Sequence, residues 1–488
     1  MLFNSWGFLL AFLPICFAGF WFLARISHLV AAGWLGMASL FFYAWWNPRF
    51  VILLLVSIGF NYLVGLRLAR GEGRSRLLFA SALGVNLTLL TWFKYANFFI
   101  DTLGTITGTS SVALDIVLPL GISFYTFTQI AFLVDAYRGI AREPNPVHYL
   151  LFVSYFPHLI AGPVLHHKQM MPQFLSSTTY QLNTTNLSQG LTILTIGLSK
   201  KVLLADNFAQ MANPIFEAAS GGVTLVPHVS WIGAVAYSLQ LYFDFSGYSD
   251  MAVGLSLLFN VRLPLNFDSP YKAGSIIDFW RRWHMTLSAF LRDYLYFPLG
   301  GNRLGVTRRY ANLMVTMLLG GLWHGANWTF VAWGGLHGLF LAINHGWHAV
   351  RRYRGWSPDS RITHALGVVL TFVCVVIAWV IFRADNFVTA THMLAPMLGF
   401  TEGTVPAELA NQFSGQQLQS TIASLSGGLA IVWFLPNTQQ FVGWADSSLR
   451  TIRWRWQGRH WEAILVGMLM GASLSSFGRI SHFIYFQF

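Results

Sequence analysis

Apolar residues in this chain run in long unbroken blocks and do not alternate one by one with polar neighbours. That is the pattern of helices buried or lipid-facing on most sides, not of half-buried strands. Blocks at 7–24, 29–46, 51–66 and 77–93 follow one another across short polar joints, and a further apolar piece covers 97–107. More lie at 115–134, 149–165, 187–204, 226–243 and 251–261. The character then changes: 262–309 carries eight basic and three acidic residues among Trp280, Trp283, Phe290, Tyr294 and Tyr296, an amphipathic stretch. Two apolar segments, 311–323 and 328–347, come next, and blocks at 366–382, 388–398, 422–435 and 463–476 complete the series.

Composition places these blocks. With 55% hydrophobic and 10% charged side chains, 488 residues supply too little polar surface to coat a soluble globule, so the chain belongs in a bilayer. Backbone polar groups inside lipid must be satisfied within helices or a closed barrel, and the block lengths select helices. The expectation is an all-α, polytopic helical membrane protein with about 11–14 membrane helices, short and re-entrant ones included. Residues 1–488 read as a single integral-membrane domain. The first block lacks a basic leader and a small-residue cleavage site, and reads as a retained helix. Cys16 and Cys374 both lie inside apolar runs, which suits neither a disulfide framework nor a thiolate metal site.

A formal charge of +12 would suggest nucleic acid in a soluble protein. Here the basic residues cluster in short joints between blocks, as orientation in a membrane requires, and no nucleic-acid partner is expected. Arg67, Arg70, Arg74 and Arg76 against Glu72 put the joint after the third block in the cytoplasm, and the N-terminus outside. Arg351, Arg352, Arg354 and Arg361 read as cytoplasmic too, as do Arg450, Arg453, Arg455 and Arg459. The polar stretch 401–420 then reads as an external loop, and the C-terminus exits outside.

The segment 311–323 is only about 20 Å long as a helix, short of a hydrocarbon core of about 30 Å. With both flanks inside, residues 320–327 form the tip of a hairpin that reaches toward the bilayer centre. Irregular glycine-rich backbone is tolerated there only beside protein or a water-filled cavity. His324 sits at that tip, between Trp323 and the Gly325, Ala326, Asn327 turn.

An imidazole at membrane depth is costly unless it lines a wet cavity or has a partner, which makes His324 the first candidate for chemistry. A neutral histidine can take the proton of a hydroxyl as its oxygen attacks an activated acyl group. The plain alternative is a structural histidine bonded to a neighbouring helix, with Trp323 and Trp328 packing and the glycines permitting close helix approach. His284 is the second candidate: on a continuous helix it shares a face with Arg281, with Ser288 one turn on. A phosphate-rich acyl carrier would suit that face, and so would anionic lipid headgroups. Asp244 and Asp250 are carboxylates at membrane depth, for which pairing with an arginine of the basic segment is the favoured reading. His166 and His167 lie in a loop and His345 and His348 one turn apart, without the partners of a zinc site; no metal is expected. Hydrolase, nucleotide-binding and dinucleotide fingerprints are absent.

Two stretches, DFWRRWHMTLSAFLRDYLYFPLGGNR at 278–303 and LWHGANWTFVAWGGLHG at 322–338, closely resemble signature segments of membrane-bound O-acyltransferases, specifically the bacterial alginate O-acetyltransferase subfamily. FYAW at 42–45, LPLGISFYTF at 118–127 and FPHLIAGP at 156–163 extend the resemblance over most of the chain. It differs from the alginate proteins at HHKQ, 166–169, and so leaves the polymer unassigned. The resemblance implies a fold around a central tunnel, a catalytic histidine at His324 and the second family histidine at His284. It implies an acetyl thioester donor, acetyl-CoA, as cytoplasmic co-substrate, with no bound cofactor. The acceptor would be an exported alginate-like or cellulose-like polysaccharide, or a periplasmic acetyl-transfer partner. A multi-pass place in the bacterial inner membrane follows.

On this reading Arg281, Arg282 and Arg292 meet the donor's phosphates. His284, Asn327 or a backbone amide near the glycine turn stabilises the oxyanion, with Trp323 as a further support candidate. The rival reading is a polysaccharide conduit or transporter whose buried polar groups line a path. A membrane glycosyltransferase is disfavoured because no Asp-x-Asp pair occurs.

Overall fold

The computed structural model describes residues 1–70, 76–110, 112–356, 360–410, 412–443 and 456–477. Among these, all regular elements are helical and strands are absent. Glu72, Arg74, Arg450, Arg453, Arg455 and the C-terminal exit lie outside the described residues. Two compact units are present. One takes in Met1–Leu198 and Tyr248–Leu265 with the C-terminal helix, the other Ser199–Gly247 and Asn266–Trp456.

The first unit opens with a wide π turn, Phe8–Phe12, leading into α1 (Leu13–Ala24). It continues through α2 (His28–Ala44), α3 (Arg49–Ala69), α4 (Arg76–Leu90) and α5 (Ala96–Thr107), the last two joined by a π turn at Thr91–Tyr95. The segments Arg49–Ala69 and Arg76–Thr107 are long and apolar enough to cross a membrane. Ile15, Phe22 and Ile52 are exposed, as lipid-facing side chains are. Helix contacts form where side chains are small: a Cβ on Gly19 would meet the Trp34 indole at 2.5 Å, and one on Gly65 would run into Phe132. Between α3 and α4, Asn61 and Asn86 exchange amide hydrogen bonds of 2.7 and 3.1 Å.

The block expected at 115–134 becomes α6 (Ile122–Tyr137), because Pro119 and the left-handed Gly121 delay its start. The block at 149–165 is not one span. It divides into α7 (Pro146–Ser154) and α8 (Phe156–Leu159), since Pro157 cannot donate to the Val153 carbonyl and its ring crowds that group. His166 stays outside regular structure as the extended N-cap of α9 (His167–Leu175), whereas His167 is the first residue of that helix and not part of a loop; α10 (Thr184–Ser199) follows.

The second unit starts at another π turn, Lys200–Ala205, which runs into α11 (Asp206–Ser220). The two blocks at 226–243 and 251–261 are a single 31-residue helix, α12 (Pro227–Leu257), with Asp244 and Asp250 inside it. Asp244, expected to pair with an arginine of the basic segment, pairs with a lysine. Lys201 Nζ lies 2.6 Å from Asp244 Oδ1 and 2.8 Å from Asp206 Oδ1, all three side chains buried. Beyond come α13 (Ile276–Arg282), α14 (Met285–Leu291), a π turn at Arg292–Tyr296, α15 (Val306–His324) and α16 (Trp328–Tyr353). α17 (Arg361–Arg383), long and apolar enough to span, packs on α16, and α18 (Phe387–Met397) follows. The loop expected at 401–420 holds a short helix, Ala407–Ala410, and is helical again from Gly415.

Candidate active site

α15 and α16 form the expected hairpin, and glycine explains how closely they lie. A Cβ on Gly321 would strike the Phe330 carbonyl, and one on Gly334 the Met317 carbonyl, so the two backbones touch where side chains would normally separate them. α15 has 19 residues, not the 13 of its apolar block, because Val306 to Tyr310 extend it at its basic end and His324 at the other. At about 1.5 Å per residue it reaches roughly 28 Å, close to a hydrocarbon thickness, so a short helix is not what sets the tip's depth.

His324 is the last residue of α15 and is buried, 4% exposed. Aromatic rings enclose it: Trp323 at 5.0 Å, Trp333 at 5.2 Å and Phe382 at 5.2 Å between ring centroids, all edge to face. Trp333 in turn stacks on Trp379 at 5.5 Å. The next polar ring is His284, with its centroid 6.4 Å from that of His324.

His284 is not on the same helix as Arg281. α13 ends at Arg282, Trp283 is extended, and His284 takes a left-handed φ of 44° before α14 begins. Only a few per cent of non-glycine residues adopt that conformation, and they concentrate where a side chain is aimed for function. The turn points the imidazole inward, to 0% exposure, while Arg281 stays exposed. Its Nδ1 lies 3.0 Å from Asn266 Oδ1, the oxygen that also accepts from the Thr286 hydroxyl at 2.9 Å and the Thr286 backbone N–H. That oxygen accepts, so Nδ1 of His284 carries the proton and Nε2 keeps a lone pair. Nε2 is buried and has no hydrogen-bond partner. Phe245 backs the ring at 4.8 Å and Trp323 at 5.9 Å.

Asn327 is committed elsewhere. Its Oδ1 caps α16 by accepting from Thr329 N at 3.0 Å, and its Nδ2 donates to the Asp385 carbonyl at 2.7 Å. Two of the three arginines are also engaged. Arg282 Nε bonds Asp278 at 2.9 Å, and Arg292 grips its neighbour Asp293 through two bonds of 2.7 and 3.1 Å, which holds its guanidinium above the usual arginine range. Near the basic end of the hairpin, Arg309 donates to His345 Nδ1 at 2.8 Å. Among the described residues no group of three or more His, Cys, Asp or Glu is placed to hold a metal ion.

Both histidines fall within residues 77–383, which match the model of the MBOAT, membrane-bound O-acyltransferase, family. The chain belongs to that family. This acyltransferase is 44% identical to the peptidoglycan O-acetyltransferase of Helicobacter pylori, over 82% of this chain and 80% of the relative. It is also 44% identical to a Pseudomonas aeruginosa protein named "probable alginate O-acetylase", over 82% and 75%. A teichoic acid D-alanyltransferase of Streptococcus thermophilus is 30% identical over 57% of this chain and 70% of its own. The acyltransferase is thus a polytopic helical membrane enzyme of the O-acetyltransferase class.

Two residues around the site carried no flag in the sequence. Asn266, which sets the tautomer of His284, sits 18 positions away in an extended segment and has no local signature. His337 lies inside the second signature stretch, one turn after Trp333. A polar-tipped ring four residues from a tryptophan on an apolar helix was the available signal.

Proposed function

We propose that the whole chain acts as one integral-membrane O-acetyltransferase of the bacterial inner membrane, with His324 as its general base. Acetyl-CoA, or another acetyl thioester, enters from the cytoplasmic side, where exposed Arg281 and the basic end of the hairpin offer charge to its phosphates. The acceptor hydroxyl, from an exported polysaccharide or a periplasmic transfer protein, arrives from the opposite side; both termini are then periplasmic. His324 takes the hydroxyl proton as the oxygen attacks the thioester carbonyl. The tetrahedral intermediate collapses by breaking the C–S bond, and the imidazolium returns its proton to the thiolate.

The observation that carries this reading is the pair of buried imidazoles 6.4 Å apart at the hairpin tip. In its neutral tautomer His284 offers a lone pair at Nε2, which suits receiving and orienting a hydroxyl better than donating to an oxyanion. Asn327, bonded at both ends of its amide, is a poor oxyanion donor, which favours backbone amides of the Gly325 turn for that role. With His284 fully enclosed and His324 nearly so, reactants enter only as the surrounding rings move.

The test is release of free thiol from acetyl-CoA by purified protein, with mass spectrometry of the surface glycan. Loss of a general base typically costs about 100-fold to 10,000-fold in rate. His324→Ala should abolish thiol release while the protein still inserts and purifies. Release near the wild-type rate would overturn the assignment, and wild-type protein that releases no thiol at all would instead favour a conduit.

A further inference from the structure

His337 sits on α16 about two and a half turns from its start, between the His324 tip and His345 at the basic end. It is completely buried. Trp280 Nε1–H donates to its Nδ1 at 3.3 Å, which leaves Nδ1 as acceptor and places the imidazole proton on Nε2. Nε2 is buried without a hydrogen-bond partner. An enclosed N–H donor left unmet costs about 1–3 kcal/mol, which an acceptor atom that reaches it would recover.

The packing around the ring shows which way a partner comes. Phe279 stacks on it at 6.0 Å, Trp333 meets it at 4.8 Å, and Trp280 and Phe340 close its edges at 5.2 and 5.8 Å. Trp333 is fully buried and also touches His324, but Trp280 and Phe340 are only half-buried, so the imidazole lies one ring deep. From the start of α16 to His345 is about 25 Å at roughly 1.5 Å per residue. A thioester with its charged group at the basic end and its acyl carbon at His324 must lay its connecting arm past this position.

We propose that His337 Nε2–H is a donor-binding group: it hydrogen-bonds an amide carbonyl oxygen in the arm of the acyl thioester once Phe340 swings aside, with Trp280 still bonded to Nδ1. The acyl donor is then an amide-bearing thioester of the pantetheine class, not a simple alkyl thioester. This rests on the reading of His324 as the base, and the two can fail separately.

His337→Gln places an amide N–H near Nε2, whereas His337→Asn keeps an acceptor near Nδ1 for Trp280 but removes the donor. Thiol release is measured with acetyl-CoA and with the acetyl thioester of a plain alkyl thiol. A neutral hydrogen bond predicts that His337→Asn raises KM for acetyl-CoA about three- to tenfold with kcat within about twofold. His337→Gln should stay near wild type. With the alkyl thioester, His337→Asn and wild type should be indistinguishable. The reverse order, Asn tolerated and Gln impaired, would mean that His337 only props Trp280, and overturns the proposal. Equal KM effects on both thioesters would do the same. If neither variant folds, the wild-type protein decides: equal KM for acetyl-CoA and for an arm-length alkyl thioester refutes an amide contact. An active His324→Ala control would refute the base assignment whatever His337 does.

Discussion

Lys201 offers the most quantitative check on how the second unit is held. Its ammonium bridges Asp206 and Asp244 at 2.8 and 2.6 Å, with side-chain exposures of 4%, 8% and 1% for the three residues. Water and salt hardly screen charges this enclosed. Removing one partner of a buried ion pair costs about 3–5 kcal/mol, most of it for the charge left behind. Lys201→Met removes the cation shared by two carboxylates and should reach that range. At roughly 2–4 °C per kcal/mol for units of this size, the unfolding midpoint should drop by about 6–20 °C. Lys201→Met combined with Asp244→Asn leaves one carboxylate instead of two and should recover about half of the loss. The Arg292 and Asp293 pair is the control: it is substantially exposed, at 58% and 35%, and such pairs contribute little. Arg292→Gln should move the midpoint by no more than about 2 °C. Thermal scans of purified protein in one detergent, with retained helical circular dichroism, give all four values. Should Lys201→Met melt with wild type, or the double variant melt no higher than the single, the triad is not a buried ion cluster of this kind.

Asn266→Ala removes the acceptor that fixes His284 Nδ1–H; a lost buried bond of about 1–3 kcal/mol should cut thiol release about five- to a hundredfold. Turnover within twofold of wild type would show that the tautomer does not matter. Gly334→Val drives a branched side chain into the Met317 carbonyl, and should abolish activity through separation of α15 and α16 while total helicity is kept. Unchanged turnover would refute the backbone contact. His167 sits in the first unit with Nε2 3.9 Å from Glu143, and burial lowers it to about 4. The unfolded chain therefore binds a proton between about pH 6.5 and 4 that the folded chain does not, so this group makes stability fall as pH falls through that window. His167→Phe, which keeps the contacts to Phe132 and Phe152, should flatten that acid slope in pH-dependent melting.

The hairpin and both candidate histidines were legible because their signals are local: glycines at a turn between two apolar runs, and imidazoles where apolar residues are expected; the shortness of the first run misled, because basic residues extend its helix. α12 was not legible as one helix. Asp244, Ser246, Gly247, Ser249 and Asp250 interrupt its apolar pattern, and the cation that lets Asp244 be buried comes from Lys201, 43 positions earlier. The break at His284 was hidden for the opposite reason. Trp280 to Leu287 suits a helix by composition, and its interruption depends on Asn266 and the surrounding rings. Short-range pattern reads segments well and reads poorly whatever a distant side chain decides.

The wide turn at Lys200–Ala205 carries an evolutionary signature. A π turn is an α-helix with one residue inserted, wound wide enough to absorb it. Lys201 and Asp206 are five positions apart and would point about 140° away from each other at the usual 100° or so per residue; the wide turn, closed by the Asp206 N–H to Lys201 carbonyl bond, sets them on one face, so the turn is costly to tighten. Homologues that keep the buried lysine should keep the extra residue with it, and those that lose one should have lost both.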